Sequence, residues 1–154
     1  MAELTGKSAL VTGAGVGIGR AIACALAREG ASVLVVDFNG DTAEETAGLI
    51  RAGGGEARAH VADVSDEARV ATMVEAAVSA FGGLQVACNS AAVSRGSGPI
   101  HGFTREVFDQ TLELCLTNTF LCMKHEIAHM LEHGGGSKIC GTSNCKSWPL
   151  FQAL

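Results

Sequence analysis

Gly13, Gly15, Gly17 and Gly19 occupy alternate positions after the apolar run Lys7–Thr12 and before the amphipathic stretch Arg20–Arg28. A turn this rich in glycine, set between a strand and a helix, lets the backbone come close to a pyrophosphate. The free N–H groups at the helix start then attract its negative charge. Asp37 closes the next apolar run, Ser32–Asp37, about 20 residues on, where a carboxylate accepts hydrogen bonds from ribose hydroxyls. Phe38 follows it and no Arg stands nearby to meet a 2′-phosphate, so the pattern favours NAD(H) over NADP(H). The competing account is a tight turn whose glycines serve helix–strand packing, with Asp37 as a solvated strand end. Loop, context and acid together favour the nucleotide site.

A second constellation is His125-Glu126-Ile127-Ala128-His129, an H-E-x-x-H pattern that puts two imidazoles on one helix face with a carboxylate beside them. This is the signature of a zinc hydrolase, and His133 extends the same stripe. Three ligands on one straight helix span too far to close a tetrahedron, and no glycine turn precedes His133, so the expectation is that no metal is bound. The six cysteines are irregularly spaced, lack any C-x-x-C pair and lie mostly within apolar runs. They read as reduced, buried thiols.

The elements that must position these residues alternate along the chain. Strands are expected at Lys7–Thr12, Ser32–Asp37, Ala57–Val64, Leu84–Asn89 and Lys138–Thr142. Helices are expected at Arg20–Arg28 and Asp41–Ala52, then from an N-cap at Ser65 to Phe81, and as one long helix from Thr104 to about His133. Such a series folds as an α/β domain, a doubly wound parallel sheet with right-handed crossovers and helices on both faces. No internal repeat or low-complexity linker interrupts it, so residues 1–154 form a single expected domain.

On these motifs the chain resembles the short-chain dehydrogenase/reductase family. The family's TGxxxGIG loop stands as Thr12-Gly13-Ala14-Gly15-Val16-Gly17-Ile18-Gly19, and its adenine-contacting Asp-Val pair as Asp63-Val64. Its Asn-Asn-Ala-Gly segment is similar to Asn89-Ser90-Ala91-Ala92, and Phe108–Leu131 is similar to its long interface helix. The resemblance implies a Rossmann-type sheet and an NAD(P)-dependent oxidoreductase working by hydride transfer on an alcohol or ketone. It also implies a homo-oligomer, and a cofactor held by Gly13, Val16, Gly17, Ile18, Asp37, Asp63, Val64 and Asn89.

The chain departs from the family where the chemistry is done. The family uses a Tyr as proton donor or acceptor, a Lys one helical turn later, a Ser that fixes the substrate oxygen, and an Asn on the long helix. Ser143 matches the Ser and is the catalytic-type position expected here; the Tyr and Lys would fall beyond Leu154, and the chain contains no Tyr. Anchored on Leu121-Cys122-Met123-Lys124-His125-Glu126, the family Asn corresponds to Cys115, and Asn118 aligns only after a register slip. The expected fold is thus truncated after about the fifth strand, which leaves an exposed sheet edge and an apolar helix face such as Val107, Leu114 and Leu121.

Composition bounds what remains. The chain has 154 residues, 47% hydrophobic and 18% charged, with a formal net charge of −5. That excludes disorder and argues against nucleic-acid or anionic-membrane partners, because the 11 Lys and Arg are scattered. No apolar run long enough to span a bilayer and no secretory leader is present, so a cytoplasmic location is expected. The function read from the sequence is an NAD(H)-dependent oxidoreductase taking a small-molecule alcohol or ketone. The alternatives are a non-catalytic nucleotide-binding remnant and, behind it, the zinc hydrolase.

Overall fold

The computed structural model describes residues 3–92, 99–134 and 138–141. Five strands form one parallel sheet: β1 Ser8–Thr12, β2 Ser32–Asp37, β3 Ala57–Val61, β4 Val86–Asn89 and β5 Lys138–Gly141. Their order is β3-β2-β1-β4-β5, so the chain runs outward from β1 to one side and then crosses back to the other. β1 and β4 are buried along their whole length, as strands covered on both faces must be. In register, Thr12 lies level with Val36 and with Asn89, so the carboxyl ends of β1, β2 and β4 form one edge. That edge, where the strand order reverses, is the switch point at which doubly wound sheets hold ligands.

Helices α1 Gly17–Arg28 and α2 Gly40–Ala52 cover one face of the sheet, packing Ala23, Ala27, Ala43, Ala47 and Ile50 on Val11, Val33 and Val35. Helix α3 Glu67–Phe81 and the helices after β4 cover the other, through Val70, Met73, Cys122 and Met130 on Leu10, Leu34 and Ala87. After β4 come a 3₁₀ turn at Ile100–Gly102, helix α4 Arg105–Leu112, a π turn at Glu113–Thr117 and helix α5 Asn118–Glu132. Among the described residues no helix is long and apolar enough to cross a membrane.

Several expected boundaries move. β3 ends at Val61 rather than Val64, because the Asp63 side chain accepts from the Ser65 N–H and hydroxyl and turns the chain out of the ladder. The cap of α3 is Asp66, not Ser65: Asp66 Oδ1 accepts from the Ala68 and Arg69 amides. α1 starts inside the glycine cluster, three residues before Arg20, and its N-cap Val16 offers no side chain to the first amides. The single long helix is two helices joined by a π turn. That turn rotates the exposed apolar stripe onto Phe108, Leu112, Leu116 and Phe120, while Val107, Leu114 and Leu121 are half-buried.

Candidate functional site

A cleft opens along the shared carboxyl edge in two adjoining parts of about 640 and 210 Å³. The larger is lined by Gly13, Val16, Gly17, Ile18 and Asp37; the smaller by Gly13 and Asp37 again, with Asp63 and Val64. The sheet therefore brings together residues spread from position 13 to position 64.

The glycine turn is built around the peptide of Gly15. Its N–H donates to Asp37 Oδ2 at 2.8 Å, while its carbonyl accepts from Arg20 Nε at 2.9 Å and from Thr46 Oγ1 at 3.1 Å. Arg20 is held in turn by Glu45, 2.9 Å away. Side chains cannot enter this arrangement. A Cβ on Gly15 would lie 2.3 Å from Thr42 Oγ1, and one on Gly19 would lie 2.1 Å from the Gly13 carbonyl oxygen. A Cβ on Gly13 would lie 2.8 Å from Ala91 Cα, so this turn and the loop after β4 approach backbone to backbone. Gly17, at φ +58°, starts α1 from a left-handed conformation that a side chain would strain.

Asp37 has its carboxylate fixed from two sides, by the Gly15 amide and by the Asn39 amide at 3.0 Å from Oδ1. It is almost fully buried, yet it lines both parts of the cleft. Phe38 beside it is exposed and forms an apolar rim. Asp63 stands opposite, and the two hydrogen bonds from Ser65 hold its carboxyl below the usual carboxylate range. On the far side the Ala91 N–H donates to Thr12 Oγ1 at 3.1 Å and ties the loop after β4 to the end of β1.

Asn89 does not line the cleft. Its side chain is buried, with Nδ2 donating to Glu126 Oε2 at 2.9 Å, and the lining there comes from Ser90, Ala91 and Ala92. Ser143 lies outside the described residues.

The H-E-x-x-H pattern is split three ways. His125 Nε2 lies 3.1 Å from Glu67 Oε1 on the surface, and the His129 ring stacks on His133 with centroids 4.2 Å apart. Glu126, 0% exposed, faces the core, where burial pushes its carboxyl up to about 7 against an ordinary 4.5. Among the described residues no three His, Cys, Asp or Glu side chains are grouped to hold a metal.

Sequence reasoning missed Arg20 and Thr46, and weighed Asn118 only as a slipped counterpart of the family Asn. Arg20 directly follows the loop, and that adjacency was the available signal. Thr46 and Asn118 are brought in by packing alone.

Comparison with known proteins agrees with this geometry. A family model described as short chain dehydrogenase matches residues 7–152. The chain is 41% identical over 135 residues to the uncharacterized oxidoreductase YxbG of Bacillus subtilis, covering 88% of this chain and 50% of that protein. It is 38% identical over 144 residues to a 2,5-dichloro-2,5-cyclohexadiene-1,4-diol dehydrogenase of Sphingobium indicum, covering 94% of this chain and 56% of that one. A solved 7α-hydroxysteroid dehydrogenase complexed with NADH and 7-oxo glycochenodeoxycholic acid superposes with a TM-score of 0.81 at 33% identity, covering 88% of this chain and 52% of the other. The chain thus spans about half the length of the curated relatives it matches.

Proposed function

Because this chain belongs to the short-chain dehydrogenase family, we propose that its cleft binds NAD(H) and that it serves an oxidoreductase acting on a small-molecule alcohol or ketone. The observation that carries the reading is the Gly15–Asp37 contact: the phosphate-side turn and the ribose-side carboxylate are built as one unit. The cradle fits the cofactor, since Gly13, Gly15 and Gly19 let the turn fold closely on the protein's own backbone and side chains, and Gly17 borders the cleft with no heavy atom within 4 Å of where a Cβ would stand.

The parts of the site divide the work. Gly13, Val16, Gly17 and Ile18 face the pyrophosphate, with the first amides of α1 open because Val16 supplies no capping side chain. Asp37 accepts from the ribose hydroxyls, pre-oriented by the Gly15 and Asn39 amides. The same carboxylate repels a 2′-phosphate, and Arg20, which follows the glycine turn, is committed to Gly15 and Glu45. Asp63, Val64 and Phe38 flank the adenine. Asn89 supports this edge from below, through Glu126. The bound nicotinamide would supply or accept the hydride. In this reading Ser143 holds the substrate oxygen.

A second reading is nucleotide binding without turnover. The two readings share the cofactor site and part at the chemical step.

Titration of the purified chain with NADH and NADPH, followed by nicotinamide fluorescence and melting temperature, tests the shared part. Saturable binding that raises the melting temperature and favours NADH is expected. Asp37→Asn should narrow the preference for NADH by roughly tenfold, about 1.4 kcal/mol. No binding of either nucleotide sinks the proposal. Turnover with a panel of alcohols then separates enzyme from binding protein.

A further inference from the structure

We propose that Asn118 is a positioning residue whose carboxamide locks the π turn of the long helix to the 91–92 loop and so sets the wall on which the adenosine half of the dinucleotide rests. The inference builds on the functional reading above and names a residue that reading does not use. In a regular α-helix the Asn118 amide would donate to the Leu114 carbonyl, four residues back. Here that amide reaches the Glu113 carbonyl, five back, and the Leu114 carbonyl accepts from Asn118 Nδ2 instead. The side chain thus replaces a backbone donor in its own helix, which is how an inserted group sustains a π turn.

The same nitrogen donates to the Ala91 carbonyl at 3.3 Å. Ala91 is held from its other side by Thr12 and sits against Gly13, so Asn118 closes a chain of contacts from α5 across the cleft to the glycine turn. Asn118 is 3% exposed, and with Leu114 it lines the part of the cleft that also holds Asp37, Asp63 and Val64.

Asn118→Leu keeps the size and removes both donors. Asn118→Ser keeps a hydroxyl able to return to the carbonyl four residues back but too short to hold Ala91. Hydrogen exchange is read on the nucleotide-free chain, and dissociation constants for NADH and AMP well below the melting temperature. With Leu, faster exchange is expected in residues 91–92 and 114–118, and with Ser in 91–92 alone. Both variants should bind AMP and NADH roughly tenfold more weakly. Should the Leu variant not fold, the Ser variant alone decides. Unchanged exchange at 91–92, or a lowered melting temperature with unchanged AMP affinity, overturns the proposal. Failure of the unaltered chain to bind either ligand overturns the functional reading and this inference with it, and is told apart because no variant is involved.

Discussion

At the scale of single residues, the site depends on atoms held from more than one side. Gly15 is fixed through both its N–H and its carbonyl, and Asp37 through both carboxylate oxygens. Glu126 differs, because its carboxyl is buried, accepts from Asn89 through Oε2, and its Oε1 has no hydrogen-bond partner among the described residues. Burial raises its folded-state pKa from an ordinary 4.5 to about 7. The folded chain therefore keeps a proton that the unfolded chain has already released, and ionisation opposes folding. Stability should be full below about pH 4.5 and fall as the pH rises to about 7. The slope approaches 1.4 kcal/mol per pH unit, roughly one proton's worth, and flattens above that window. Glu126→Gln stays neutral and can still accept from Asn89, so urea midpoints across this range should lose that slope. An unaltered pH profile in the variant would refute the assignment.

Elements are set partly by local signals and partly by what they pack on. The apolar runs Ser32–Asp37 and Val86–Asn89 are legible as strands because a parallel strand between two helical layers has no polar face to show. Caps are less legible. Ser65 and Asp66 are both good cap residues by type, and the choice follows from Ser65 being drawn into the Asp63 turn. Asp66→Ala should lower stability by about 1 kcal/mol in chemical denaturation, with Ser65→Ala costing clearly less. Equal losses would mean that the cap is shared. The break of the long helix is not readable from its apolar spacing, because it follows from where the Asn118 side chain donates, to the Leu114 carbonyl in its own helix and to the Ala91 carbonyl of the loop after β4.

For the whole molecule, the consequence of that break is a stripe of Phe108, Leu112, Leu116 and Phe120 on one exposed face, at 52%, 39%, 61% and 60% of full exposure. β5, paired with β4 alone in the described sheet, adds an edge. The chain should therefore self-associate in light scattering as concentration rises, and Leu116→Gln with Phe120→Gln should markedly reduce it. A monodisperse monomer for the unaltered chain would contradict this.

The sequence by itself determined the βαβ order, the glycine turn, the acidic end of β2 and the family, since each is written in neighbouring residues or short fixed spacings. Tertiary structure decided how those pieces meet. It placed Gly15 on Asp37, turned Asn89 away from the cleft toward Glu126, dispersed the H-E-x-x-H residues and moved Asn118 to the cleft wall. The physical reason is separation along the chain: Asn89 and Glu126 are 37 residues apart, and Ala91 and Asn118 are 27. Contacts across such distances are selected by burial and hydrogen-bond satisfaction in the packed sheet, which no local pattern encodes.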